Sequence, residues 1–251
     1  MVPQVALVTG AGRGIGRAVA LRLSSEGMRV VLTARSTDEL ATTAEQCPGE
    51  TAIVAADITE PDAAERIFTA AEQRWGRVDV LVANAGSGTS SPLEKTTDED
   101  WQHMLELNLT APFRCVRRAV GPMRAAGFGR IVVIASVAAR VGEPYITAYT
   151  ASKHGVLGVV RSAAAELATC GVTVNAVCPG YVDTPMTERT VASIVAVSGR
   201  DADQVRETLA RKQPTGRLIT PEEVAEAVSF CVRMPGMTGQ GIIIDGGAVQ
   251  G

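Results

Sequence analysis

Tyr149, Lys153 and Ser136 are the residues whose types and spacing can do chemistry. In Tyr149-Thr150-Ala151-Ser152-Lys153 the phenol and the ammonium stand four apart, so a helix would put both on one face. Ser136 lies thirteen residues upstream, at the end of the apolar run Ile131-Val132-Val133-Ile134-Ala135. That run reads as a buried strand, and ligands bind outside the carboxyl ends of parallel strands. A hydroxyl, a phenol and an ammonium converging there suit proton transfer to a carbonyl oxygen. Taken alone, a Tyr and a Lys at helical spacing are usually a half-buried aromatic beside a solvated charge. The start of the chain carries a second signal that shifts the weight.

That signal is strand, glycine loop, helix. Val5-Ala6-Leu7-Val8 is apolar, Thr9-Gly10-Ala11-Gly12-Arg13-Gly14-Ile15-Gly16 follows, and Arg17 to Glu26 shows helical periodicity. Glycines allow tight turns and close backbone approach to a pyrophosphate, and a helix N-terminus offers free N–H groups and a favourable dipole. The pattern is T-G-x-x-x-G-x-G, not the strict G-x-G-x-x-G.

Strand candidates are Val5 to Val8, Arg29 to Thr33, Thr51 to Ala55, Val80 to Ala83, Ile131 to Ala135, Thr173 to Cys178 and Gly241 to Ile244. Helices are expected at Thr37 to Gln46, Pro61 to Trp75 (with Pro61 in its first turn), Ala148 to Thr169 and Pro221 to Val232. Thr97 to Ala126 should hold a long helix, irregular near Pro112 and Gly121. The alternation predicts an α/β fold with a doubly wound parallel sheet. The 251 residues contain no linker, repeat or low-complexity tract, so residues 1–251 read as a single domain.

Composition bounds the function. A net charge of −3 gives no basic footprint for nucleic acid. Cys47, Cys115, Cys170, Cys178 and Cys231 form no C-x-x-C pair, which with two histidines argues against structural zinc. They read as reduced, mostly buried thiols of a cytoplasmic protein. Pro3-Gln4 leads directly into the first strand without a signal peptide, and no apolar run approaches a membrane span.

The two motifs together resemble the short-chain dehydrogenase/reductase family, over nearly the whole chain. Further matches fall in order: Asp57 after the third strand, Asn84-Ala85-Gly86 after Val80-Leu81-Val82-Ala83, Asn108, Pro179-Gly180 closing Val174 to Cys178, Thr184, and Asp245-Gly246-Gly247. The resemblance implies a Rossmann-like fold and a nicotinamide cofactor held by Gly10, Gly12, Arg13, Gly14, Ile15 and Gly16. It implies Asp57 and Ile58 near the adenine, and Asn84, Ala85 and Gly86 shaping the pocket. Pro179, Gly180, Val182 and Thr184 would lie at the nicotinamide. Tyr149 would be the general acid in reduction and the base in oxidation. Lys153 would hold the nicotinamide ribose and, with the oxidised ring, lower the phenol's pKa. Ser136 would orient the substrate oxygen, and Asn108 would hold a water relaying protons to Lys153. No metal is required. Residues 186–218 correspond to a substrate lid; the plainer reading is a surface helical insertion.

The second strand ends Thr33-Ala34-Arg35, and Ala34 stands where the family has an acid for NAD. Arg35 and Arg13 can instead clamp a 2′-phosphate, so the expected cofactor is NADP(H). The alternative is that both arginines are merely solvated and Asp38 or Asp57 takes the ribose. Tyr149 to Met186 is similar to 3-oxoacyl-thioester reductases and polyketide ketoreductases. Cys170 stands where some carrier-protein reductases have an arginine, which counts against carrier-protein docking and leaves an acyl-CoA or a free small ketone or alcohol; of a basic patch beside the cleft, Arg124 and Arg130 remain. Gly142, Glu143, Pro144, Tyr145 and Ile146 should line the substrate side, where Glu143 could meet a polar substrate, the plainer reading being a surface loop acid. The partner would be an acyl thioester or a small ketone or alcohol. Alternatives are a reductase of small or cyclic ketones, a family member with epimerase or dehydratase chemistry, and a nucleotide-binding regulator without turnover. The resemblance also implies a homotetramer or homodimer, and small residues near Thr110 and Gly158 suit close helix packing.

Overall fold

The computed structural model describes residues 4–250. Its centre is a seven-stranded sheet in the order β3-β2-β1-β4-β5-β6-β7. The strands are β1 Val5–Thr9, β2 Arg29–Thr33, β3 Thr51–Ile53, β4 Val80–Ala83, β5 Gly129–Ile134, β6 Val172–Pro179 and β7 Gly241–Ile244. Every neighbouring pair is parallel. The helices are α1 Gly14–Ser25, α2 Thr37–Gln46, α3 Ala63–Trp75, α4 Asp98–Leu105, α5 Ala111–Ala126, α6 Thr147–Leu167, α7 Pro185–Ser198, α8 Ala202–Arg211 and α9 Pro221–Arg233.

β1, β4, β5 and β6 are buried throughout. They are largely apolar because helices cover both faces of a parallel sheet. Alternate side chains point to opposite faces, so Val5 and Leu7 join one core cluster while Ala6 and Val8 join the other. Phe68 of α3, Val116 of α5 and Leu157 of α6 cover the first face. Leu23 of α1, Leu40 of α2 and Val228 of α9 cover the second. The chain winds outward to β3 and then restarts beside β1 as β4. This reversal opens a crevice at the carboxyl ends of β1 and β4, where such sheets bind ligands.

Several boundaries differ from the expected ones. β3 stops at Ile53, not Ala55, although Val54 N–H still donates to Leu32 O and Ala56 N–H to Ala34 O, both at 3.0 Å. α3 starts at Ala63. Glu60 N–H bonds Asp57 O and Ala63 N–H bonds Glu60 O, so Pro61 lies in a preceding turn. The expected long helix is two helices joined by a π-helical turn, Glu106–Thr110, with Pro112 in the first turn of α5. The irregularity lies there and not at Gly121. The segment after Thr184 is regular: α7 and α8 pack together through Val191, Val205 and Leu209, against the Tyr181 ring.

Candidate active site

Thr9, the last residue of β1, organises the cofactor side. Its Oγ1 accepts from the main-chain N–H groups of Asn84 and Ala85, each at 2.9 Å. Asn84 Nδ2 in turn donates to Thr9 O at 2.8 Å and Gly10 O at 3.3 Å. The ends of β1 and β4 are therefore stitched, and the glycine loop has no room for side chains. A Cβ on Gly16 would sit 2.1 Å from Gly10 O, and one on Gly10, at φ 67°, would sit 2.8 Å from Asn84 Nδ2. Arg13 precedes α1 without capping it through its side chain, so the first-turn N–H groups are left for a ligand's phosphates. Gly14, at φ 52°, faces Thr184, the residue before α7. The residues present thus fit a dinucleotide. Ile15 and Ile58 are part-buried against opposite core clusters. The buried Val182 side chain belongs to the core, so a ligand at that position meets its main chain.

The arginines expected to read the cofactor flank this loop. Arg13 pairs with Glu39 at 3.0 Å. Glu39 was not anticipated; a Cβ on Gly12 would sit 2.8 Å from Glu39 Cβ. The Arg35 side chain is 77% exposed, with Asp57 3.9 Å away. Asp57 is occupied by Thr59, whose N–H and hydroxyl both donate to Oδ1 and hold the carboxyl below its usual pKa.

The fold brings the catalytic candidates together. Lys153 is buried in α6, and its Nζ donates to Ile134 O at 2.9 Å. Nζ lies 5.6 Å from the centroid of the Tyr149 ring. Burial lowers the ammonium's pKa to about 8. Ser136, two residues beyond Ile134, is buried and accepts from Ala138 N–H at 3.1 Å, which leaves its own proton to donate. Burial pushes the Tyr149 phenol up, and its hydrogen bond with Ser136 opposes the rise. Desolvation is the largest influence on the phenol in the chain without its cofactor.

Asn108 is fully buried in the π turn. Its Nδ2 donates to Ser87 O at 2.9 Å and its Oδ1 accepts from Ser87 N–H at 3.2 Å. A Cβ on Gly86 would stand 2.8 Å from Asn108 Oδ1 and 3.6 Å from Lys153 Nζ. The side-chain amide is thus committed to Ser87, in the turn that lies beside Lys153.

Two expectations on the substrate side are corrected. Glu143 is not a solvated loop acid: it accepts from the Tyr181 hydroxyl at 3.0 Å and pairs with Lys212 at 3.4 Å. Arg130 is not a docking cation: it is buried, donating to Val232 O at 3.2 Å and Gly129 O at 2.8 Å. Arg124 pairs with Glu166 at 2.8 Å. The five cysteines are free, and Cys115, Cys178 and Cys231 are buried. Among the described residues no helix is long and apolar enough to cross a membrane.

Comparison with known proteins agrees with this geometry. Residues 4–194 match the family model described as short chain dehydrogenase. The granaticin polyketide synthase putative ketoacyl reductase 1 of Streptomyces violaceoruber is 38% identical, over 97% of this chain and 92% of its own. Cis-4-hydroxycyclohexanecarboxylate dehydrogenase of Sinomonas cyclohexanicum is 40% identical, over 90% of this chain and 88% of its own. The crystal structure of a variant actinorhodin polyketide ketoreductase with NADPH matches with a TM-score of 0.95 at 36% identity. It covers 98% of this chain and 97% of its own.

Proposed function

The chain belongs to the short-chain dehydrogenase family, and we propose that within it this protein is an NADP(H)-dependent reductase of 3-oxoacyl thioesters. The observation that carries the reading is the convergence of Ser136, Tyr149 and Lys153 beside the turn after β4, which Asn84 ties to the glycine loop. Bound NADP(H) would supply the hydride. The rest falls to this chain's residues. Ser136 donates to the substrate carbonyl and fixes its direction. Tyr149 gives its phenolic proton to that oxygen in reduction and takes it back in oxidation. Lys153 steadies the charge on the phenol and holds the nicotinamide ribose. Asn108 braces the turn beside Lys153; a water in its relay would sit on its main-chain carbonyl, since its amide is engaged.

Gly10, Gly12, Gly14 and Gly16 would let the backbone approach the pyrophosphate, while Arg13 and Arg35 would clamp the 2′-phosphate. Asp57 and Ile58 would flank the adenine, with Asn84, Ala85, Gly86, Pro179, Gly180, Val182 and Thr184 bounding the nicotinamide end. Residues 186–218 would serve as the lid of a single domain. The exposed Gly158 face of α6, where a Cβ meets open space, would pack against another copy in a homotetramer or homodimer.

A second reading, reduction of small or cyclic ketones, draws support from the buried Arg130 and the Arg124 paired with Glu166, since neither is an unpaired surface cation. An NADPH assay against acetoacetyl-CoA, a carrier-bound analogue and cyclohexanone separates the two. Turnover of cyclohexanone with neither thioester would remove the first reading.

A further inference from the structure

Glu143, Tyr181 and Lys212 form a cluster that none of these roles uses. The Tyr181 hydroxyl donates to Glu143 Oε2 at 3.0 Å. Lys212 Nζ reaches Glu143 Oε1 at 3.4 Å and the Tyr181 hydroxyl at 3.2 Å. The three residues come from the loop before α6, the turn after β6 and the end of α8. Buried Gln213 fixes this junction: it accepts from Tyr181 N–H at 3.1 Å and donates to Tyr181 O at 3.2 Å. Gly180 is packed under it, where a Cβ would sit 2.4 Å from Gln213 Oε1. The cluster is close enough to Tyr149 that Tyr181 and Glu143 both push its phenol up.

Counting donors defines what the cluster can still bind. Both Glu143 oxygens already have a donor, and the Tyr181 hydroxyl both donates and accepts. An ammonium has three donors, so Lys212 keeps one, on a side chain 46% exposed. Glu143 and Lys212 cancel in charge. A neutral acceptor can take the spare donor without opposition, whereas a carboxylate would meet Glu143 at close range.

We propose that Lys212, held by Glu143 and Tyr181, is a specificity-determining residue that binds a second, uncharged acceptor oxygen of the substrate. The ester or thioester carbonyl of a 3-oxoacyl compound has that chemistry, and Glu143 disfavours a free carboxylate in its place. The inference rests on ketone reduction at Tyr149. Its test measures kcat/KM with NADPH for ethyl acetoacetate, acetoacetate and cyclohexanone. Lys212→Met is expected to lower the value for the ester about tenfold or more, the loss of one charged hydrogen bond, and to leave cyclohexanone within about twofold. Glu143→Gln is expected to raise acetoacetate relative to the ester by a similar factor. Thermal melting with NADPH checks that both variants fold and bind cofactor. Equal losses on ester and cyclohexanone, or an unchanged acid-to-ester ratio in Glu143→Gln, would overturn the inference while ketone reduction stands. Failure of the wild type on all three ketones would remove the underlying reading itself.

Discussion

Lys153 Nζ donates to the main-chain oxygen of Ile134 at 2.9 Å, so the last residue of β5 holds the ammonium of α6. Ser136 follows two residues later on the same chain. One backbone carbonyl therefore fixes where the cation stands relative to the hydroxyl. The contact also takes Lys153 out of water, and an ammonium with one carbonyl partner is poorly compensated for lost hydration. Its pKa falls to about 8 as a result.

A pH profile should show this. Reduction needs the phenol protonated and the ammonium charged. Burial raises the phenol above its ordinary 10, so it stays protonated through neutrality. The basic limb then belongs to Lys153, and kcat/KM for NADPH, which reports the free enzyme, should fall above pH about 8. Stability moves the other way. The folded pKa lies below the ordinary 10.5, so between the two values the unfolded chain binds more protons and stability rises with pH. That rise should vanish in Lys153→Met, measured by urea unfolding from pH 7 to 10.5. A kcat/KM profile that stays flat to pH 10 would contradict the assignment.

Tyr149→Phe removes one hydroxyl and keeps the ring beside Lys153. Turnover should drop by about two to four orders of magnitude, the range for losing a general acid. NADPH binding, followed by fluorescence, should persist within a few fold, because the glycine loop and the Thr9–Asn84 stitch are untouched. Wild-type turnover in this variant would transfer the acid role elsewhere.

The same residues explain what sequence could and could not reveal. The Tyr149–Lys153 spacing and the run into Ser136 were legible because both depend on local period, 3.6 in a helix and 2 in a strand. β4, β7 and α2 fall where apolar runs and turn residues put them. The π turn at 106–110 was not legible: the contact made within it, Asn108 with Ser87, spans 21 positions. The burial of Arg130 was not legible, because its acceptors include the remote carbonyls of Gly171 and Val232 as well as Gly129 of β5. Gln213 and Lys212 both bond Tyr181, more than thirty residues away, and no periodicity carries such pairings. Thr9 is different, since its place at the junction of strand and glycine loop is itself a local signal for the stitch it makes to Asn84 and Ala85.

Cofactor choice should respond to charge at the loop. Arg13→Ala or Arg35→Ala should lower the NADPH-to-NADH ratio of kcat/KM by roughly 10–100-fold, the weight of one or two charge-assisted hydrogen bonds. Glu39→Gln should raise the ratio, because it releases Arg13 from a carboxylate 3.0 Å away. A wild-type preference for NADH would reject the NADP(H) reading, and a fall on Glu39→Gln would show that the pair orients Arg13 productively.

Two glycines inside helices should give opposite results on becoming alanine. Alanine is ordinarily favoured over glycine within a helix by about 0.5–1 kcal/mol. At Gly158 a Cβ meets open space within the protomer, so Gly158→Ala should preserve or raise the melting temperature of a monomer. If that face of α6 packs against another copy, the same change should loosen the assembly, seen as lighter species in sedimentation. At Gly16 the Cβ would press 2.1 Å from Gly10 O and 2.5 Å from Asn84 Nδ2. Backbone must move there, and overpacking of this kind costs about 1–3 kcal/mol. Because the atoms displaced belong to the phosphate-facing loop and to its stitch, Gly16→Ala should also lose NADPH binding. Full NADPH affinity in Gly16→Ala would mean that the loop is not the cofactor's seat.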